Sequence, residues 1–139
     1  MPINDLARTD VVTAPPTTVV ADLAELMAEE NVGSVVITED NQPTGIVTDR
    51  DLALRSVGEM ADPDTQIAAD VMSEGLETVP PEAGFYDAAE LMADAGVRRL
   101  PVVENGELRG IITADDLTEL LADEQQHLAD VLRAQRPSY

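Results

Sequence analysis

The chain repeats itself. A gapless overlay of residues 13–52 on 78–117 leaves about 16 of 40 positions identical, where average composition gives roughly two or three. Thr13-x-Pro15-Pro16 falls on Thr78-x-Pro80-Pro81, and Asp22-x-Ala24-Glu25-Leu26-Met27-Ala28 falls on Asp87-x-Ala89-Glu90-Leu91-Met92-Ala93. Val32 matches Val97, Glu39 matches Glu104, and the match reaches back weakly to Asp5-Leu6 over Asp70-Val71. One unit of roughly 60 residues is used twice, whereas a solenoid would need three or more short repeats to close its core. Two copies imply an approximate two-fold axis. At 139 residues the chain supports one domain, and a single copy would be marginal alone, so the copies are expected to share a core.

Each copy closes in the same pattern, Gly-apolar-apolar-Thr-x-x-Asp-Leu. It stands as Gly45-Ile46-Val47-Thr48-Asp49-Arg50-Asp51-Leu52 and as Gly110-Ile111-Ile112-Thr113-Ala114-Asp115-Asp116-Leu117. The glycine reads as the end of a turn, the apolar pair as buried strand and the threonine as the opening of a helix. A strand feeding a helix start leaves backbone N–H groups pointing outward, ready for an anion. Thr48 with Asp51, and Thr113 with Asp116, also have the spacing of a capping box, with Asp in place of Glu. The caps alone account for these residues; the alternative is that Thr and the free N–H groups hold a phosphate while Asp accepts both hydroxyls of a ribose. Both uses can coexist.

Taken in order, residues 3–8 read as a helical turn with Ile3 and Leu6 on one side, and Pro15-Pro16 as extended chain. A helix is expected over about 18–30, capped by Thr17 or Thr18, with Val19, Leu23, Leu26 and Met27 on its apolar face and Gly33 at its end. Residues 34–38 and 44–48 form a hairpin around a turn at 39–43, followed by a helix from Asp49 to about Val57. Residues 58–65 are the linker, and Thr65 is placed to cap a short helix over 66–72. The second copy runs through extended 76–79, helix 84–95, strand 99–103, the Asn105-Gly106 turn, strand 108–113 and helix 114–122. Pro101 must sit at an edge or bulge. Residues 123–139 form a separate tail whose Leu121, Leu128, Val131 and Leu132 suggest an amphipathic helix ended by Pro137. Packing on the body or a dimer contact is its expected use; a dedicated partner-binding helix is the other.

Composition narrows the function. Net charge is −20, from 28 acids against eight cations, all of them Arg. The apolar periodicity argues against a disordered acidic chain. The better reading is a protein of a salt-saturated cytoplasm, where carboxylates keep the surface hydrated and salt screens their repulsion. No basic stripe exists to follow a nucleic-acid backbone. The absence of Cys removes thiolate nucleophiles, disulfides, Cys-zinc sites and iron–sulfur clusters. No apolar run approaches 18 residues and residues 1–10 carry no apolar signal-like segment, so a soluble cytoplasmic protein without a membrane partner is expected.

Arg98 and Arg99 are the sharpest asymmetry, because the first copy has Gly33 and Ser34 there. Salt pairing explains at least one of them; alternation along a strand should turn one inward, where a guanidinium makes a phosphate fork. His127 reads as surface, and Met27, Met72 and Met92 as core. The pairs Asp49/Asp51 and Asp115/Asp116 could hold Mg²⁺ but read better as a solvated face. With one His and no Cys, nucleophilic catalysis is poorly supported.

The repeat, its closing motif and Val97-Arg98-Arg99-Leu100-Pro101-Val102-Val103 together resemble the CBS domain, and two in tandem resemble a CBS pair, or Bateman module. The resemblance covers about residues 3–122, with repeats at 3–57 and 66–122. It implies an α+β fold of two pseudo-symmetric β-α-β-β-α repeats packed as one pair. It implies up to two sites, in a cleft between the repeats, for AMP, ADP, ATP or S-adenosylmethionine. Asp51 and Asp116 would then meet ribose, and Thr48, Thr113 and Arg98 or Arg99 the phosphate. Val12, Ile37, Val79 and Val102 would hold the base. The Gly33-Ser34 departure leaves one site short of a cation. A disc-shaped homodimer is also implied, with regulation of a separate protein, or service as a nucleotide reservoir, as the role. A ligand-free interaction module is the alternative; no catalytic cofactor or enzyme activity is expected.

Overall fold

The computed structural model describes residues 2–73 and 75–136. Its first half contains β1 (Thr13–Ala14), α1 (Val20–Glu30), β2 (Ser34–Glu39), β3 (Gln42–Thr48) and α2 (Asp49–Leu52), which runs on as a π-helical turn over Ala53–Val57. The second contains α3 (Ala68–Val71), α4 (Phe85–Ala95), β4 (Arg99–Glu104), β5 (Glu107–Thr113) and α5 (Ala114–Ala134). A 3-10 turn at Ile3–Asp5 is the first half's counterpart of α3. This is the expected α+β architecture used twice.

The two halves part where a backbone donor is missing. β1 runs parallel to β2, held by the Val36 N–H on the Val12 carbonyl at 3.0 Å. The counterpart of Val36 is Pro101, which has no N–H to give. Only an isolated parallel bridge, Val79 to Val102, replaces the strand expected over 76–79. Both hairpins are antiparallel and carry the same register shift, at Ile37/Thr38 and at Val102/Val103. Their turns are two left-handed residues, Asp40-Asn41 and Asn105-Gly106, as tight hairpins require. The first turn is therefore shorter than the expected 39–43, and Gln42 and Pro43 belong to β3.

Helix ends also differ from expectation. α1 stops at Asn31 (φ 54°), not Gly33, and α4 stops at the equivalent Gly96 (φ 68°). Neither Thr17 nor Thr18 caps α1, whose N-cap is Val19. The N–H groups of Val20 and Ala21 instead donate to the carbonyls of Gln66 and Pro63, at 2.8 and 2.9 Å. Thr65 does not cap α3; its hydroxyl donates to the Asp62 carbonyl, and the Asp70 carboxylate receives the Ile67 N–H at 3.0 Å.

The described residues form two cores rather than the single shared core expected. One cluster gathers Leu23, Met27, Val35, Ile37 and Val47 of the first half, and a second gathers Ala88, Met92, Leu100, Val102 and Ile112. Each is completed from the other half. Ala68 and Val71 enter the first cluster, while Ile3 enters the second. Their backbones are fastened across: Ala68 N–H to the Thr18 carbonyl and Ile3 N–H to the Ala83 carbonyl, both 2.8 Å. The crossing segments end in short bridges, Arg8 with Ile111 and Ser73 with Ile46. This cross-completion fixes how the halves sit together.

α5 runs unbroken to Ala134, so the tail is no separate helix. Leu121, Leu128, Val131 and Leu132 are all more than half exposed, and the expected packing on the body does not occur. Pro137 lies outside the described residues. No described helix is long and apolar enough to cross a membrane.

Candidate functional site

The two motif threonines do what a helix start asks of them. The Thr48 Oγ1 accepts the Asp51 N–H at 3.2 Å, and an Asp51 carboxylate oxygen accepts the Thr48 N–H at 2.9 Å. Thr113 and Asp116 repeat this box at 3.2 and 3.0 Å. Other first-turn donors are also committed. Asp49 N–H reaches the Gly33 carbonyl at 3.0 Å, Ala114 N–H reaches Arg98 at 2.8 Å, and Arg50 N–H meets the Asp49 carboxylate at 2.8 Å. The outward, unpaired N–H groups expected at these helix starts are thus absent at α2. What stays available is side-chain chemistry. Each threonine hydroxyl keeps its proton to donate, and each carboxylate keeps lone pairs beyond the one its cap uses.

Two clefts exploit that chemistry, each made by one half's helix start and the other half's strand start. The first has a volume of about 840 Å³. Ile46, Thr48 and Asp49 to Asp51 line one side; Ser73, Gly75 to Glu77 and Ala95 to Arg99 line the other, with Thr113 and Asp115 at the edge. The second is about 270 Å³, lined by Arg8, Val11, Val12, Asn31 to Ser34, Val36, Ile111, Thr113 and Asp115. Arg99 borders both. A side chain at Gly33 would meet its guanidinium at 3.0 Å, so Gly33 serves as space for Arg99.

Charge divides the clefts further. The first holds Arg50, Arg98 and Arg99 against Asp49, Asp51, Glu77 and Asp115. Arg98 makes one loose contact, 3.4 Å to Asp115, with both side chains mostly exposed. Asp51 is 13% exposed, and its second oxygen has the Arg55 Nε no nearer than 3.9 Å. Beneath Arg8 of the second cleft, Asp116 is buried and its second oxygen accepts the Arg8 Nη2 at 3.1 Å. Arg98 is exposed and Arg99 partly buried, matching the alternation expected of neighbours on a strand.

The expected residues are therefore distributed as follows. Thr48, Asp51, Arg98 and Arg99 come together in the first cleft, and Thr113, Val12 and Arg99 border the second. Asp116 lies beneath Arg8 rather than on the lining. Ile37, Val79 and Val102 line neither cleft; each is at most 4% exposed and packs in a core. The pleat explains the miss: in β2 it is Val36, one residue away, that reaches the second cleft. Arg8, Arg50, Leu76 and Val97 also line the clefts, and neither closing motif nor capping box singles them out. Arg8 was within reach, because extending the Asp5-Leu6 match by two residues sets it against Ser73. Among the described residues, no group of three or more His, Asp or Glu is arranged to hold a metal ion.

The architecture and sequence have clear relatives. The profile of the CBS domain matches residues 3–58 and 68–123. A Methanopyrus kandleri protein is 42% identical over 120 residues, 85% of this chain and 61% of its own length. A CBS domain-containing protein of Bacillus subtilis is 36% identical over 83% of this chain and 81% of its own. The chain thus spans between three-fifths and four-fifths of these relatives. Among solved structures, a CBS domain protein of Pyrobaculum aerophilum complexed with AMP superposes with a TM-score of 0.76 at 28% identity, covering 84% of this chain and 89% of that one. The chain belongs to the CBS-domain family and carries two copies of the domain in tandem.

Proposed function

We propose that this chain is a regulatory module that senses an adenosyl ligand (AMP, ADP, ATP or S-adenosylmethionine) in the first cleft. The observation that carries the reading is the joining, across about 840 Å³, of the Thr48–Asp51 helix start with Arg98 and Arg99. That volume suits a nucleotide-sized ligand. The free oxygen of Asp51 faces the ribose diol, the Thr48 hydroxyl proton and the two guanidinium groups take phosphate, and Ile46, Leu76 and Val97 offer apolar surface to the base. The AMP bound to the Pyrobaculum relative supports this choice of ligand class. The mechanism is a population shift: a ligand bridging both halves favours one setting of the pair, which a partner reads. The work of the module is regulatory rather than catalytic, on a separate protein in a salt-rich cytoplasm. Exposed Leu54, Val57 and Leu121 suit a homodimer.

The test is titration calorimetry of the full chain in molar KCl with AMP, ATP and S-adenosylmethionine, alongside light scattering for mass. Asp51→Asn keeps an acceptor for the Thr48 N–H, so the cap survives while the diol loses its carboxylate. The expected outcome is a dimer that binds one of the three, and at least a tenfold loss of affinity in Asp51→Asn at unchanged unfolding midpoint. No heat with any ligand would favour the second reading, a ligand-free interaction module, for which the completed capping boxes are the specific observation.

A further inference from the structure

We infer that Arg8 is a built-in occupant of the second cleft, and that it limits the chain to one adenosyl ligand, held in the first. The inference rests on the reading of the clefts as adenosyl-ligand sites and adds which of them works and why.

Arg8 and Ser73 stand at the same place in the two halves, each at the end of a crossing segment. Their backbones make the same two bonds. Arg8 exchanges N–H and carbonyl with Ile111 at 2.9 and 3.0 Å, and Ser73 exchanges them with Ile46 at 2.9 and 3.4 Å. The two side chains therefore start from equivalent points beside Asp116 and Asp51. Serine is short and does not reach Asp51, whose second oxygen has the Arg55 Nε at 3.9 Å, beyond hydrogen-bond distance. Arginine is long, and its Nη2 lies 3.1 Å from the Asp116 oxygen that the cap leaves over. Both Asp116 oxygens are then in use, one by the Thr113 N–H and one by Arg8.

A ribose diol would have to displace a charge-assisted hydrogen bond from a carboxylate that is only 8% exposed. Arg8 itself is largely exposed, so it can swing away, but the carboxylate it leaves must be repaired by the incoming hydroxyls. Two further features weigh the same way. The second cleft has about a third of the first's volume, and Arg98, which lines the first, has Gly33 as its counterpart in the second, while Arg99 is shared by both.

The experiment is the stoichiometry of AMP binding to the full chain in molar KCl, for wild type, Arg8→Ser and Ser73→Arg. Arg8→Ser copies the first cleft's own residue, and Ser73→Arg installs the block beside Asp51. The expected results are one AMP per wild-type chain, a second and at least tenfold weaker AMP in Arg8→Ser, and loss of the first in Ser73→Arg. Two AMP bound by wild type, or one by both wild type and Arg8→Ser, would overturn the role of Arg8 and leave the proposed function standing. No AMP on wild type but one on Arg8→Ser would support the block and overturn the reading of the first cleft. No binding by any of the three proteins would overturn both. The cooperative unfolding of each variant checks that it is folded.

Discussion

At the scale of single residues, the repeated glycine is the clearest case of a signal that was visible while its cause was not. Gly45 and Gly110 read as turn residues in the sequence, yet both lie inside strands, opposite Ile37 and Val102. Their job is to let the crossing segment from the other half come close. A β-carbon on Gly110 would sit 2.7 Å from the Arg8 carbonyl oxygen, a backbone atom held by its own bridge. One on Gly45 would sit 2.7 Å from the sulfur of Met72, the flexible part of a side chain, and 3.1 Å from the Ser73 carbonyl. Gly110→Ala should therefore cost about 1–3 kcal/mol by overpacking, and Gly45→Ala less. Urea unfolding of the two variants checks the order; equal costs would mean that backbone and side chain yield alike. A neighbour seen only in three dimensions cannot be read from Gly-apolar-apolar-Thr. The Thr–Asp box, made within four residues, was legible in full.

Elements show the same division between local and remote causes. The hairpins, α4 and both motif helix starts follow from periodicity and turn chemistry. The α1 cap did not, because its donors are satisfied by Gln66 and Pro63, more than 40 residues away. The two helices that begin with the same box also diverge. α2 gives way to a π-helical turn closed by the Gly58 N–H on the Ala53 carbonyl at 2.7 Å, whereas α5 continues through Asp123, the counterpart of Gly58. Most consequential is the exchange of crossing segments, for which the sequence offered only the faint match of Asp5-Leu6 to Asp70-Val71. Ile3 is fully buried among residues 79–117, yet it opens the first half. Ile3→Ala should cost about 2–5 kcal/mol, the range for emptying a buried aliphatic site. It should loosen the second core although it lies far from it in sequence. Hydrogen exchange can check this: protection should fall first at Leu100, Val102 and Ile112, and a loss centred on α1 and β2 instead would contradict the cross-completed core.

For the whole molecule the governing quantity is a net charge of −20 on 139 residues. The ion pairs do little to offset it. Of those present, the Arg98–Asp115 and Arg133–Asp130 contacts join mostly exposed side chains, worth roughly 0–1 kcal/mol each. The compact state therefore carries uncompensated repulsion that the expanded chain relieves, and two modest aliphatic cores must hold against it. Salt shortens the reach of that repulsion, from about 10 Å at 0.1 M to about 3 Å at 1 M. Stability should accordingly rise steeply as KCl goes from 0.1 to 1 M. Above that, screening has little left to remove, and any further gain must come from weaker solvation of apolar surface by salt. Urea midpoints across a KCl series separate the two regimes. A steep gain that flattens near 1 M would mark self-repulsion as the cost being lifted. A gain that continues in proportion to salt would place the effect in the cores, and a flat or falling series would remove the case for a protein shaped by a salt-saturated cytoplasm. The first cleft softens this field locally: Arg50, Arg98 and Arg99, three of the chain's eight cations, stand there against four carboxylates, a far more even balance than the 28 acids to eight cations of the whole chain.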